Sequence, residues 1–435
     1  MSSGLKVLIL GSGGREHAIA KAIARSPHVR EVLCAPGNAG TLDVATNAEL
    51  DLTDLDSLVD FAIGEEVDLT IVGPEGPLVA GIADRFQEAG LRIFGPCAKA
   101  ARLEGSKAWA KRFMRRHGIP TAEFEVPEDL RSAIDAIDRM WREGGVVVKA
   151  DGLAAGKGVV VARSRDEAVE AARAFLERRE LGAAGDRLVI EECLSGPEAS
   201  YFVLLDGKDW RSFPLAQDHK ALLAGDQGPN TGGMGAVTPL PIESEWRERL
   251  ATEVMNPLLE GLSADEIPYV GLLFVGLMLT PAGPRVLEFN CRLGDPETQV
   301  LLPGLGSEWL DLVLATVHGE LGRRELRPDG QVRVGVVAAA KGYPGSVERG
   351  QPITGLDEAA TVEGVTLIHA GTKALPDGQI VTNGGRVLTV VGEGSTLEEA
   401  RDRAYRAIES LRFGGDRPVY REDIGARWLP AGAAR

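Results

Sequence analysis

Cysteine is scarce: Cys34, Cys97, Cys193 and Cys291 are the only four in 435 residues, far apart and with no C-x-x-C pair. That spacing supports neither a thiolate zinc site nor a disulfide framework, and reads as four reduced core thiols. None of the six histidines has metal-ligand spacing with another, so His17, near the start of the first expected helix, reads as a packed residue rather than a base. No apolar run reaches the length that spans a bilayer. The N-terminus also lacks an extended cationic start and a small-residue cleavage site. Met1-Ser2-Ser3-Gly4 runs straight into Leu5-Lys6-Val7-Leu8-Ile9-Leu10, a first strand rather than a signal peptide, and the expected location is cytoplasmic. Positive charge is in deficit. A net charge of −16 argues against nucleic acid as the main partner, although a few Lys and Arg can still be focused on a phosphorylated small molecule.

What is present is a globular composition, 44% hydrophobic and 26% charged, in a chain long enough for roughly two to four domains. Over the first hundred residues, Val7–Leu10, Glu31–Ala35, Leu69–Val72 and Leu91–Phe94 read as strands, and Glu16–Arg25 and Leu78–Ala89 as helices. That alternation implies a parallel, doubly wound sheet whose ligands gather at the carboxyl ends of its strands. The pattern changes near Gly105-Ser106-Lys107. Leu130, Ile134, Ile137 and Trp141 share a helical face, Val146–Ala150 and Val159–Ala162 look like a hairpin, and Asp166–Arg179 reads as a second amphipathic helix. Gly225–Pro241 is rich in Gly, Pro, Asn and Thr and reads as loop. From Gln331 onward Val, Thr and Gly predict several strands and one late helix, Leu397–Leu411, a β-rich region ending in an Ala/Gly tail expected to fray.

Two glycine loops stand out. Gly11-Ser12-Gly13-Gly14-Arg15-Glu16 lies between the first strand and first helix, where backbone N–H groups and Arg15 suit one phosphate monoester; a plain tight turn is the competing reading. Glu16 stands where a dinucleotide fingerprint needs a third Gly, and Cys34-Ala35-Pro36 replaces its acidic partner, which disfavours an oxidoreductase. Asp151-Gly152-Leu153-Ala154-Ala155-Gly156-Lys157-Gly158 is one residue short of a Walker loop, ends in Gly rather than Ser or Thr, and joins two strands. A hairpin tip carrying Lys157 could close over a triphosphate instead. Lys149, inside an otherwise apolar strand, needs an anionic partner.

The most informative run is Glu288-Phe289-Asn290-Cys291-Arg292-Leu293-Gly294-Asp295-Pro296-Glu297-Thr298. Glu288 and Asn290 alternate on a strand and face one side; a carboxylate with an amide oxygen suits a hard cation such as magnesium. Arg292 could stabilise charge on a transferred phosphoryl group. Asp218-His219-Lys220 and Gly228-Pro229-Asn230-Thr231-Gly232-Gly233-Met234-Gly235 form a second polar cluster that could hold a small carboxylate or phosphate, or be plain surface loop.

Taken together, these runs resemble the phosphoribosylamine–glycine ligase family of the ATP-grasp superfamily. Ten runs match in order: Gly11 to His17, Ala35 to Gly40, Val72 to Glu75, Leu103 to Lys107, Val148 to Gly158, Gln217 to Lys220, Gly228 to Gly235, Glu288 to Gln299, His369 to Lys373 and Val381 to Arg386. The resemblance implies an α/β and α+β multidomain fold: an N-terminal doubly wound parallel-sheet domain (1–105), a central ATP-grasp domain (106–325) with a lid at about 122–192, a C-terminal β-rich domain (326–427) and a tail (428–435). It implies ATP as co-substrate, Mg2+ or Mn2+, and ligation of glycine to 5-phosphoribosylamine through glycyl phosphate, by a monomer with neither nucleic-acid nor membrane partners.

By the same resemblance, Lys107, Lys149 and Lys157 contact ATP phosphates under the loop of Gly156 and Gly158. Glu191 and Leu194 offer backbone hydrogen bonds to adenine, and Glu198 holds the ribose. Glu288 and Asn290 bind the metal. Gly14, Arg15, Glu16, Asn38, Gly73, Pro74 and Glu75 hold the phosphoribosyl portion. Asp218, Lys220, Asn230, Thr231, Gly232, Gly233 and Arg292 converge on glycine and the acyl phosphate, with Asp295 close by; Arg292, Asp295 and Lys149 are the expected catalytic residues. The chain departs from the family at Ala221-Leu222-Leu223-Ala224-Gly225, where Arg and further charged residues are usual, at Val237 in place of an aromatic, and at Leu293 in place of Phe. A ligase for another carboxylate and amine, or a non-catalytic ATP-binding relative, are the alternatives.

Overall fold

A computed structural model describes residues 4–154 and 156–429. Ala155 of the glycine loop and the Ala/Gly tail from Pro430 lie outside the described residues. Strands β1 (Leu5–Gly11), β2 (Val29–Pro36), β3 (Thr46–Asn47), β4 (Leu69–Val72) and β5 (Ile93–Phe94) form one sheet in the order β3-β2-β1-β4-β5, parallel throughout. Val7 to Leu10 are fully buried, as a parallel strand covered on both faces requires. Strand order reverses direction on either side of β1, so the crevice opens at the carboxyl ends of β1 and β4. The helix expected over Leu78–Ala89 is two, Glu75–Val79 and Ile82–Glu88, broken at Gly81 with φ +92. A further helix, Leu55–Gly64, capped by Asp54, escaped the sequence reading because its buried residues are few.

The hairpin is present. β6 (Phe124–Glu125), β7 (Val146–Ala150), β8 (Val159–Ala162) and β9 (Leu188–Glu192) form an antiparallel sheet in the order β6-β9-β7-β8. Helices Leu130–Met140 and Arg165–Leu176 pack on it through Ile137, Ala172 and Phe175 against Val148 and Ile190. A second sheet carries the strands Trp210–Ser212, Glu198–Asp206, Val270–Thr280 and Gly283–Asn290, in that spatial order. Lys149 bridges the two, donating to the Leu287 carbonyl at 3.2 Å.

The Gly225–Pro241 stretch is not all loop. Gln227–Asn230 pairs with Ala221–Leu223 as a small hairpin. Gly235–Thr238 lies between Gln217–Asp218 and Val332–Ala339 in a five-stranded sheet completed by Arg386–Gly394 and Val365–His369. Composition misled because Gly235 serves close packing: a Cβ there would overlap the Gly335 carbonyl and the Ile424 side chain. The C-terminal sheet is thereby tied by main-chain bonds to the strand carrying Asp218. Among the described residues, no single helix is long and apolar enough to cross a membrane.

Candidate active site

At the carboxyl end of β1, the Glu16 carboxylate accepts the Gly13 N–H at 2.6 Å and pairs with Arg15 Nε at 2.5 Å. Arg15 also donates to the Leu293 carbonyl at 3.1 Å. Glu16 is 2% exposed, and a Cβ on either Gly11 or Gly73 would collide with its side chain. The residue that spoils the dinucleotide fingerprint therefore occupies the space these glycines leave. Asn38 donates to the carbonyls of Ser12 (2.9 Å) and His369 (3.0 Å) and accepts the N–H groups of Gly40 (2.9 Å) and Thr41 (3.1 Å). Its amide fixes the Gly13 loop rather than projecting freely from it. Pro74 caps the helix opened by Glu75, and Glu75 meets Arg292 at 3.2 Å.

Arg292 is held from two sides, since its Nη2 lies 3.3 Å from Glu104. Glu104 in turn accepts from the Cys291 N–H at 2.7 Å and its thiol at 3.0 Å. Burial works against a charged Arg292, but Glu104 and Glu75 outweigh it and hold the guanidinium protonated. Burial likewise opposes ionisation of Glu75, yet Arg292 and Arg15 keep its carboxyl below the ordinary value.

Two lysines converge on Glu191. Lys149 pairs with Glu191 Oε2 at 3.0 Å, and Lys111 meets the same oxygen at 2.9 Å; Lys111 also donates to Thr121 at 2.7 Å. Burial, chiefly, lowers Lys111 to about 8, with Glu191 opposing. Glu191 sits in β9, paired with Val147 and Phe124, and Leu194 follows the strand end. Lys107 begins the helix Lys107–Arg116, whose cap Ser106 is tied to Asp151 at 2.9 Å. Asp151 also takes the Ala108 N–H at 2.7 Å, so the root of the glycine loop and the Lys107 helix are one unit. Lys157 is exposed on that loop, Gly156 has φ +79, and a Cβ on Gly158 would press on Ala154 and Ala150.

Glu288 occupies the centre. Burial would raise its carboxyl, but Lys220, Lys107, Lys149 and Arg292 together bring it down to about 2. The amide nitrogen of Asn290 donates to the Phe289 carbonyl at 3.0 Å, which turns the NH₂ away and leaves the oxygen as the donor atom. A carboxylate held ionised beside a free amide oxygen fits a divalent hard cation. Glu198, Ser200, Asp218, Lys220 and Glu288 line one narrow crevice. Lys220 reaches Glu198 at 3.4 Å, and Ser200 donates to Glu297 at 3.0 Å. Burial, then the neighbouring Glu297, raises Asp218 well above the ordinary carboxylate value. A wider cleft of about 650 Å³ beside Trp210, Arg211 and Pro328 shares no residue with this site, so volume alone would misplace it.

The Asn230–Gly233 segment adjoins Asp218. Thr231 bonds the Lys220 carbonyl through both N–H and hydroxyl at 2.8 Å. The Gly233 N–H donates to the Thr231 hydroxyl at 3.0 Å and the Gly232 N–H to the Tyr343 hydroxyl at 2.9 Å. Both amides are already committed within the protein; Asn230 is exposed on the hairpin. The Ala221–Asn230 hairpin is pinned from the C-terminal end: Arg421 contacts the Ala221 carbonyl at 3.2 Å and Asp226 at 2.7 Å, and Asp423 accepts the Gly225 N–H at 2.8 Å. The uncharged Ala221–Gly225 segment is thus held through its main chain by Arg421 and Asp423.

Of the sequence-selected residues, Lys107, Lys149, Glu198, Asp218, Lys220 and Arg292 surround Glu288, Arg15, Glu16 and Asn38 hold the adjoining Gly13 loop, and Lys157 and Asn230 are exposed on hairpins of their own. Lys111, Glu104, Glu297, Tyr343 and Arg386 were missed. Lys111 had a signal, four residues after Lys107 and so on the same helical face. Arg386 had only its place at the end of the Val381 to Arg386 run, and Tyr343 had none, because their partners lie far away in sequence.

An N-terminal parallel sheet, a glycine-rich hairpin bearing Lys149, and a carboxylate–amide pair on the facing sheet are the marks of an ATP-grasp enzyme. Three family models match in order along the chain: phosphoribosylglycinamide synthetase N domain over residues 5–104, its ATP-grasp (A) domain over 105–298 and its C domain over 333–427. The chain belongs to the phosphoribosylglycinamide synthetase family and is an ATP-dependent ligase. It is 49% identical to phosphoribosylamine–glycine ligase of Chlorobaculum tepidum, covering 98% of this chain and 100% of that one. Identity to the ligase of Pseudomonas aeruginosa is 48%, over 97% and 98%. The crystal structure of phosphoribosylamine–glycine ligase from Thermotoga maritima superposes with a TM-score of 0.84 at 37% identity, covering 97% of this chain and 100% of that one. The biotin carboxylase domain of Hydrogenobacter thermophilus 2-oxoglutarate carboxylase, solved with MgADP, shares the fold with a TM-score of 0.71 at 18% identity, over 95% and 91%.

Proposed function

We propose that this chain joins glycine to 5-phosphoribosylamine at the expense of ATP, yielding glycinamide ribonucleotide, ADP and phosphate in de novo purine biosynthesis. The observation that carries the reading is Glu288, kept ionised amid Lys107, Lys149, Lys220 and Arg292 where the phosphate loop and the lid sheet converge. Such a ring of fixed cations suits phosphoryl transfer, which needs positioning and charge neutralisation more than an enzyme nucleophile.

In this reading Lys107, Lys149 and Lys157 neutralise the ATP phosphates, and Gly156 and Gly158 let the hairpin close over them. Glu191 and Leu194 offer main-chain groups to adenine, and Glu198 the ribose contact. Glu288 and Asn290 hold Mg2+ or Mn2+, which screens phosphate charge when bound. Gly14, Arg15 and Glu16 take the ribose phosphate, while Asn38, Gly73, Pro74 and Glu75 shape that loop. The glycine carboxylate attacks the γ-phosphorus, ADP leaves, and glycyl phosphate forms between Asp218, Lys220, Asn230, Thr231, Gly232, Gly233 and Arg292. The amine of phosphoribosylamine then attacks the acyl carbon beside Asp295 and phosphate departs. Exclusion of water protects the acyl phosphate. The chain works as a cytoplasmic monomer with small-molecule partners alone, without nucleic acid or membrane.

The test is ADP release from ATP and Mg2+ with freshly prepared phosphoribosylamine and glycine, omitting each in turn. Release that needs both, with equimolar glycinamide ribonucleotide, is expected. ATP binding without release, or release with another carboxylate and amine, would overturn the reading.

A further inference from the structure

One guanidinium in the site comes from the C-terminal sheet and belongs to none of the roles above. Arg386 opens the strand Arg386–Gly394, yet its side chain leaves the sheet and ends among three acceptors. It donates to the Gly232 carbonyl and, at 2.7 Å, to the Asp295 carbonyl, and its Nη2 lies 3.1 Å from the Asp295 carboxylate. The other oxygen of Asp295 accepts from Gln299 at 2.6 Å. That Gln299 amide lies against Gly14, where even a methyl group would overlap it. Tyr343 supports the opposite end: its hydroxyl accepts the Gly232 N–H at 2.9 Å, and its ring covers Gly385, leaving no room there for a Cβ. Arg386 therefore links the Gly232–Gly233 segment to Asp295 and, through Gln299, to the Gly13–Gly14 loop. Among the described residues it makes no hydrogen bond or ion pair with Lys107, Lys149 or Glu191 of the nucleotide end.

We propose that Arg386, seconded by Tyr343, is a positioning residue for the ligation step, fixing Asp295 and the Gly232–Gly233 segment where the acyl phosphate meets the amine. A planar guanidinium can span two carbonyls and a carboxylate at once, whereas an ammonium on the same stem cannot. Burial opposes the charge on Arg386, but Asp295 keeps it protonated. Because its contacts all lie at the acyl-transfer end, its loss should misplace the acceptor amine while ATP still binds. Glycyl phosphate would then meet water more often, and ADP would form without ligation.

This inference rests on the ligase reading, and the experiment separates the two. The full-length wild type, Arg386→Ala, Arg386→Lys and Tyr343→Phe are compared for kcat, for KM of each substrate, for ATP affinity by calorimetry and for ADP formed per glycinamide ribonucleotide. For Arg386→Ala the expectation is a loss of about 10²-fold in kcat/KM for glycine and phosphoribosylamine, of the size seen when one fixed donor is removed. Its ATP affinity should stay within about twofold, and its ADP-to-product ratio should rise above one. Arg386→Lys should recover only part of the rate, and Tyr343→Phe should show the same pattern at about 3–10-fold. An active wild type with unchanged Arg386→Lys and Tyr343→Phe kinetics overturns the positioning role alone. So does a loss shared equally by ATP affinity and ligation with the product ratio still at one. A wild type inactive with both substrates overturns the ligase reading and this inference with it.

Discussion

Lys149 Nζ stands 3.0 Å from Glu191 Oε2, both side chains almost wholly buried, at 7% and 2% exposure. An ammonium so placed is neutralised from behind by Glu191 and can turn only one side to a nucleotide phosphate. Lys149→Ala should reduce kcat by at least about 10²-fold, the scale of a lost charge-stabilising donor, while the fold persists because Lys111 still pairs with Glu191 Oε2. Glu191→Gln should act oppositely, mainly on stability. It leaves Lys111 and Lys149 buried against each other, and removal of one partner from a buried ion cluster costs about 3–5 kcal/mol. Steady-state kinetics and urea unfolding of the two variants distinguish them; near-wild-type turnover in Lys149→Ala would overturn the site assignment.

Glu288→Gln should abolish metal-dependent turnover without harming the fold, since the amide keeps the shape and removes the charge. The four cations around Glu288 would then repel a divalent ion with nothing to offset them. Mn2+ affinity, followed by its paramagnetic effect on water relaxation in the presence of ADP, should weaken by about 10-fold or more, as when one charged ligand is lost. Unaltered Mn2+ binding would place the metal elsewhere.

Where periodicity and local chemistry agree, the fold was legible: β1 and its glycine loop, the β7–β8 hairpin and the strand bearing Glu288 and Asn290 all follow from residues adjacent in sequence. Gly235–Thr238 was not, because it lies in a run of glycines, prolines and threonines that mimics a loop and only the facing Gly335 and Ile424 explain Gly235. The site divides in the same way. Arg292 could be read from its place after Glu288 and Asn290, but its holder Glu104 is 188 residues away and contributes only once the helix Ala98–Gly105 docks on that strand. Glu16 could be recognised as a departure from a dinucleotide loop, whereas its role as the buried partner of Arg15 required Gly11 and Gly73 to be brought beside it.

Arg15→Ala should raise KM for the phosphorylated substrate about 10-fold or more and leave KM for ATP within about twofold, since one charge-assisted contact is worth roughly 1.5–3 kcal/mol. The paired Glu16 would lose its partner at 2.5 Å, so Arg15→Lys is the control for misfolding: it keeps the charge and should recover part of the affinity. An unchanged KM for phosphoribosylamine in Arg15→Ala would move the phosphate site off this loop.

Three buried histidines set an acid limit on stability. Burial, foremost, lowers His17 to about 3, His219 to about 4 and His369 to about 4, from an ordinary 6.5. Their neutral forms are built into the fold: His17 Nδ1 accepts the His369 N–H at 2.8 Å, and His219 Nε2 accepts the Gly425 N–H at 3.0 Å. Each lowered value means that the unfolded chain binds a proton the native chain refuses. The stability these residues contribute is therefore complete above pH 6.5 and falls as the pH drops from there towards 4 and 3. The slope is up to about 1.4 kcal/mol per pH unit for each histidine. Urea midpoints at pH 7.5, 6.5, 5.5 and 4.5 should hold steady over the first step and then decline. His17→Asn, which removes one of the three titrations, should start less stable but lose stability less steeply below pH 6. An equal slope in that variant would show that His17 is not the neutral, buried acceptor that joins the first helix to the strand Val365–His369.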